Sequence, residues 1–286
     1  MILSHIPLTD QEVQQSIGTS FNKIQSQDVN LELWDNRRYF DAFQHWIRNS
    51  HYNRFTGLDL FTHHAYSDGA IGGIESFIHR HGLTRRIRFS DAEFIGSKIV
   101  CNHASINWKF LEAEPVTAGD AVVLSLPFAG DGNMYKDLDQ LLDTCDRLAV
   151  PVLIDCAYFG ISYNSTVDLS RSCITDVVFS LSKPFSTPLR LGYRITKTHF
   201  DDILQANSDL KVYNRYSAQV GIDLLSKFSH NWLIEKYQPV QEQICRELDL
   251  TPSLTLTLAV DSQQRAEFLR NGYYRVCITN ELQQQF

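Results

Sequence analysis

Three segments place reactive side chains directly behind apolar runs that read as strands. VPVLI leads into Asp155-Cys156-Ala157-Tyr158, and DVVF leads into Ser180-Leu181-Ser182-Lys183-Pro184. A strand-like stretch in the 60s runs into Ser67-Asp68-Gly69-Ala70 and then a helix-like segment. A lysine enclosed at a strand end loses proton affinity by desolvation, which frees its amine to attack a carbonyl. A carboxylate flanked by apolar residues, as Asp155 is, is costly to bury without a cationic partner. A protonated pyridine nitrogen is such a partner. Gly69 and Ala70 at a helix start offer bare N–H groups and the positive end of a dipole, which suit a phosphate. Ser180, Ser182 and Arg190 add donors for the same dianion.

These groups need a scaffold that gathers strand ends. AVVLSLPF (121–128), VPVLIDCAYF (150–159), DVVFSLS (176–182) and LGYRIT (191–196) read as strands, and RIRFS as a short one. KDLDQLLDTCDRLA (136–149) reads as a helix with Leu138, Leu141, Leu142, Cys145 and Leu148 on one stripe. GIESFIHRHG reads as a helix stopped by Gly82, and RRYFDAFQHWIRN (37–49) as a helix with Phe40, Phe43 and Trp46 inward. Apolar strands separated by single helices mark a parallel α/β sheet, whose ligands sit at the carboxyl ends of the strands. Past residue 200 the helical segments FDDILQA, YSAQVGIDLLSKF and NWLIEKYQPVQEQICREL precede the strand-like SLTLTLAV and YYRVCIT. The expected architecture is a mainly parallel sheet sandwiched by helices, with a small C-terminal α+β domain. The expected divisions are an N-terminal arm and helix over 1–55, a large domain over 56–205 and a small domain over 206–286.

Composition bounds the rest. The chain has 286 residues, 43% hydrophobic and 21% charged, which excludes disordered and collagen-like classes. Its 26 Lys and Arg against 33 Asp and Glu give a net charge of −7, so it carries no electrostatic footprint for nucleic acid or an anionic membrane. No apolar run approaches the ~20 residues of a bilayer span. The segment MILSHIPLTDQEVQQ lacks a basic region followed by an apolar one, so a cytoplasmic location is expected. The six cysteines include no CxxC spacing, and most read as buried thiols of a reducing compartment. His63-His64 and His79-x-His81 have no acidic or cysteine partner at ligand spacing, so no metal is expected. Arg85-Arg86-Ile87-Arg88 reads as a solvated strand entry.

A carbonyl, a pyridinium and a phosphate held together describe pyridoxal phosphate. SLSKPFSTPLRLGYRI (180–195) resembles the lysine motif of the fold-type I pyridoxal-phosphate enzymes, the aspartate aminotransferase superfamily, and DCAY resembles their D-x-A-Y. The resemblance implies that Lys183 forms the Schiff base, that Ser180 and Arg190 contact phosphate and that Ser182 lies beside it. It makes Asp155 the partner of the ring nitrogen and Tyr158 a donor to the ring 3′-oxygen. SDGA followed by GGIESF is similar to the family's phosphate-cup turn, which implicates Gly69 and Ala70. Phe94 in SDAEF falls where the family stacks an aromatic on the ring. YYRVCIT resembles the strand whose arginine grips the substrate α-carboxylate, here Arg275. Tyr213-Asn214-Arg215-Tyr216-Ser217 falls where such enzymes reach into a neighbouring subunit.

The resemblance covers about residues 60–280, and its specific part is 120–195. The chain departs from the family at Pro127-Phe128-Ala129-Gly130-Asp131-Gly132-Asn133, which lacks the usual asparagine unless Asn133 loops back. It is also shorter than usual members. The implied function is a homodimeric aminotransferase that moves an amino group between an amino acid and a 2-oxo acid. The same lysine and aspartate serve a lyase, decarboxylase or racemase, and a trimmed non-catalytic member is the third alternative.

Overall fold

The computed structural model describes residues 7–26, 31–185 and 188–285. The helix α1 (Gln11–Gln25) starts where the Asp10 carboxylate accepts the N–H groups of Glu12 and Val13. The helix α2 (Asn36–Arg48) is capped by Asp35 and buries Tyr39, Phe40, Phe43, Trp46 and Ile47 on one face. Then follow β1 (Arg54–Thr56), β2 (His63–Asp68), α3 (Gly69–Gly82), β3 (Arg86–Phe89), α4 (Gly96–His103), β4 (Trp108–Phe110) and β5 (Asp120–Ser125). Next come α5 (Leu138–Leu148), β6 (Val152–Cys156), β7 (Thr166–Asp168), β8 (Ile174–Ser180) and β9 (Leu191–Thr196). The C-terminal portion holds α6 (Ile203–Asp209), α7 (Arg215–Lys227), α8 (His230–Glu247), β10 (Thr251–Pro252), β11 (Leu258–Val260), β12 (Leu269–Arg270), β13 (Tyr273–Cys277) and α9 (Thr279–Gln283).

Seven strands form the main sheet in the order β2-β9-β8-β6-β5-β3-β4. The pairs from β8 through β6, β5 and β3 to β4 are parallel. β9 runs antiparallel to both β8 and β2. Every residue of β5, β6 and β9 is buried, as continuous apolar strands under helices on both faces require. One face packs Ile74, Phe77 and Ile78 of α3 on Ile87, Val123 and Val178. The other packs α2, α7 and α8 through Tyr39, Phe43, Leu224 and Leu233. A second sheet, β10-β11-β13-β12, is antiparallel.

The expected mainly parallel α/β sheet is therefore present, one helix is added and two local expectations change. α1 was not legible, because its buried positions Val13, Ser16, Ser20 and Ile24 are half polar. SLTLTLAV is a strand only over Leu258–Val260. Its alternating Ser253, Thr255 and Thr257 are buried instead, and the Gln241 amide gathers the carbonyls of Ser253, Thr255 and Leu258. The arginine run is not a solvated entry either. Arg88 is fully buried, pairs with Asp120 at 2.8 Å and donates to the carbonyls of Lys109, Phe110, Glu114 and Pro115.

A second buried ion network fastens α3 and α6 to the sheet. Arg194 of β9, 1% exposed, pairs with Asp202, which also takes Arg80 at 3.1 Å and the Ser76 hydroxyl at 2.8 Å. Asp202 caps α6 through the Gln205 N–H as well. Removing one partner of a buried pair leaves the other charge uncompensated. Asp202→Asn is expected to cost about 3 kcal/mol, read as a lower urea midpoint with an unchanged denaturant slope.

Candidate active site

The parallel strands deliver their carboxyl ends to one edge of the sheet. β2 ends at Asp68, β3 leads to Glu93, β5 ends at Ser125, β6 at Cys156 and β8 at Ser180. Because β9 is antiparallel, its first residue starts at the same edge, and Arg190 stands just before it.

That arginine and the start of α3 meet at this edge. Gly69 opens α3 with φ +68°, and its N–H donates to the Arg190 carbonyl at 3.0 Å. Arg190 itself has φ +51°, and its Nη2 donates to the Asp68 carbonyl at 2.7 Å. A Cβ on Gly69 would stand 2.8 Å from Arg190 Nη2, so a side chain there would displace the guanidinium. A Cβ on Gly192 would meet the Gly69 carbonyl at 2.4 Å, which fixes glycine where β9 passes α3. The N–H groups of Ala70 and Ile71 have no intrahelical acceptor by helix geometry and carry the positive dipole end. Ser180 is buried, and its hydroxyl accepts the Ser182 N–H at 3.1 Å, which sets the turn into Lys183.

Lys183 and Asp155 form the second part. Asp155 is 5% exposed and accepts the Ala157 N–H at 2.9 Å. Burial pushes its carboxyl up to about 6, against the opposing pull of that N–H and of the Lys183 charge. Burial brings the Lys183 amine down to about 8; Cys277 and Asp155 oppose the shift and Arg275 adds to it. Lys183 Nζ lies 5.6 Å from the Tyr158 ring centroid. Burial holds the buried Tyr158 phenol well above its ordinary value, with the Arg275 charge pulling the other way. Arg275, on β13, hydrogen-bonds the Ala129 carbonyl and is close enough for both Lys183 and Tyr158 to feel its charge.

Lys183, Asp155, Tyr158 and Arg275 thus gather at one place, with Ser180 and Ser182 leading to it and Arg190 over Gly69 along the same edge. Phe94 is 50% exposed, and its ring lies over Gly96 beside Ile71 of the first α3 turn. Asn133 does not loop back: its Oδ1 accepts the Leu254 N–H. Tyr213 is committed within its own chain, accepting from Trp34, donating to Asn36 and stacking on Tyr66 at 4.6 Å. Ser186 and Thr187 of the lysine segment lie outside the described residues.

Two residues escaped the sequence reading. Glu93, beside Phe94, is 9% exposed, and burial pushes its carboxyl up to about 7. Its signal was an acidic residue following buried Ala92 behind a strand. Cys277 stands two residues beyond Arg275 on β13, so strand alternation puts both on one face. It lies close enough to Lys183 to bear on that amine's proton affinity.

No protein-family model matches the sequence, and no curated protein sequence does so significantly. Solved structures do match. A tyrosine aminotransferase from Leishmania infantum superposes with a TM-score of 0.66 and 13% identity, covering 98% of this chain and 89% of its own. A pyridoxal-phosphate-bound C-S lyase from Staphylococcus hominis gives 0.63 and 15%, covering 88% and 73%. An L-threonine-O-3-phosphate decarboxylase from Porphyromonas gingivalis gives 0.62 and 14%, covering 88% and 79%. The chain has the fold of the fold-type I pyridoxal-phosphate enzymes.

Proposed function

We propose that this chain binds pyridoxal phosphate and works as an aminotransferase on an amino acid and a 2-oxo acid. The observation that carries the reading is a half-buried lysine and a buried aspartate at the sheet edge where Arg190 covers Gly69. The residues fit the cofactor by their chemistry: an amine of lowered proton affinity, a buried carboxyl and a cradle that a Cβ would fill.

When bound, pyridoxal phosphate supplies an aldehyde that links to amines and a ring that accepts electrons from the adjoining carbon. Lys183 would hold that aldehyde and, once displaced by the substrate amine, hold and move a proton at its Nζ. Asp155 would keep the ring nitrogen protonated, and Tyr158 would donate to the 3′-oxygen. Gly69, Ala70, Ser180, Ser182 and Arg190 would hold the phosphate, with Phe94 over the ring face and Arg275 on the α-carboxylate. We take 56–205 as the cofactor-binding unit and 206–286 as the unit supplying Arg275.

The decisive experiment is a spectrum of the purified protein with pyridoxal phosphate, before and after borohydride, and then with an amino donor. A reducible visible band on Lys183, lost as pyridoxamine phosphate accumulates, is the expected result. Elimination or decarboxylation products without pyridoxamine phosphate would assign the site to another reaction. The pH dependence is set by Lys183. With its midpoint at about 8, the neutral amine fraction at pH 7 is roughly 300-fold that of an ordinary lysine. The rate of band formation is therefore expected to rise as pH rises to about 8 and to level off above it.

A second copy is the proposed partner. A cleft of about 860 Å³ beside the cradle is lined by Asp68, Ile71, Arg190 and Ile203. Phe94, Ile95, Ile203 and Tyr216 are exposed large apolar side chains, of which Ile203 lines the cleft and Phe94 lies against Ile71. Sedimentation velocity is expected to show a dimer at micromolar concentration; a monomer there would remove the second subunit from the account. The cytoplasm is the proposed location; among the described residues no helix is long and apolar enough to cross a membrane, and all six cysteines are free.

A further inference from the structure

We propose that Glu93 is a positioning residue that holds the carboxylate-binding Arg275 in place through Ser125 and Ala129; this deepens the amino-acid reading above and rests on it. Glu93 Oε1 accepts the Ser125 N–H at 2.8 Å, and its Oε2 accepts the Ser125 hydroxyl at 2.7 Å. That hydroxyl in turn accepts the Ala129 N–H at 2.8 Å. The Ala129 carbonyl accepts Arg275 Nη1. A continuous relay of side-chain and backbone bonds therefore runs from a buried carboxyl to the guanidinium.

The relay crosses the part of the chain that needs support. The segment after β5 has no regular structure until α5, and it contains Gly130 and Gly132. Ala129 is pinned on its N–H side by Ser125 and offers its carbonyl outward to β13 of the other sheet. The turn is also closed by the Phe128 N–H on the Asn133 carbonyl and the Gly132 N–H on the Phe128 carbonyl, but the hold on the Ala129 N–H comes from Ser125. The ionised carboxyl presents two acceptors and no donor to two donors on one residue, and those two bonds pull its proton affinity down against burial. The ionisable groups that sense or face Glu93 are Asp155 on β6, Tyr135, Tyr158 and Tyr273. Tyr273 shares the β13 face with Arg275, so the carboxyl sits at the mouth where that strand meets the main sheet.

The test uses the full chain loaded with pyridoxal phosphate, in wild type, Glu93→Ala, Glu93→Gln and Ser125→Ala. Dissociation constants for L-alanine and for ethylamine, which lacks the carboxylate, are read from the change in the visible band. Glu93→Ala and Ser125→Ala are expected to weaken L-alanine roughly 10-fold and to leave ethylamine unchanged, since a misplaced anchor acts only on the group it anchors. Glu93→Gln keeps an acceptor for the Ser125 N–H and is expected to restore most of the loss. Equal losses for both amines, or no loss of L-alanine in either alanine variant, would overturn the proposal. Hydrogen exchange of residues 125–133 in the cofactor-free chain is the independent arm. Faster exchange in both alanine variants supports the hold on Ala129, and unchanged exchange overturns it. If the wild type takes up no pyridoxal phosphate, the functional reading fails, and this exchange arm still decides what Glu93 does to the turn.

Discussion

Lys183→Ala is expected to abolish the borohydride-reducible visible band and to lower turnover by roughly 10⁴-fold or more, the combined loss of a covalent nucleophile and of a proton-moving amine. The fold should survive. Burial already disfavours the charge on this amine, so removing it relieves a cost rather than creating one. At pH 7 the variant should unfold at no lower temperature than the wild type. An added small amine such as methylamine should restore part of the activity, because the missing function is an amine in a formed cavity. A reducible adduct that persists in this variant, mapped to another lysine, would show that the chemistry resides elsewhere.

Asp155→Asn separates the second half of the site. The substitution keeps shape and the Ala157 N–H contact while removing the charge. Turnover should fall roughly 10²–10³-fold, the usual cost of deleting one preorganised electrostatic partner. Stability should move the other way. A carboxyl whose folded pKa is raised to about 6 binds protons more tightly in the folded state, so its ionisation opposes folding as pH rises through that value. The unloaded variant should therefore melt slightly higher at pH 7, trading stability against function. Cofactor binding carries a matching sign. A protonated ring nitrogen favours ionised Asp155, so wild-type affinity should weaken as pH falls below about 6, and the variant should lose that step. Affinity that falls equally in both proteins would remove Asp155 from contact with the ring.

The part of the site that was readable in the sequence is the part that single strand ends impose. Asp155 and Ser180 follow continuous apolar runs, so their place at the sheet edge follows from the strands themselves. Gly69 was readable because a glycine opens a helix directly behind a strand. Glu93 and Cys277 were hidden because the groups they meet lie far along the chain, Ser125 for one and Lys183 for the other. Charge alone also misled at Arg88, where a buried carboxylate and four carbonyls satisfy a group that reads as exposed. The intrachain bonds of Tyr213 were not legible either, since its partners Trp34 and Asn36 lie in the N-terminal segment.

The lone reversed strand has one more consequence. Tyr193 of β9 stacks on Phe43 on one side of the sheet, while Arg194 meets Ser76 and Asp202 on the other. Sliding β9 by a single residue would exchange those two side chains, pressing a cation among aromatic rings and a phenol among ions. The same slip would drag Arg190 away from Gly69. The strand therefore acts as a keyed bolt with teeth cut on opposite edges: it seats in one register or not at all, and seating it sets Arg190 over Gly69.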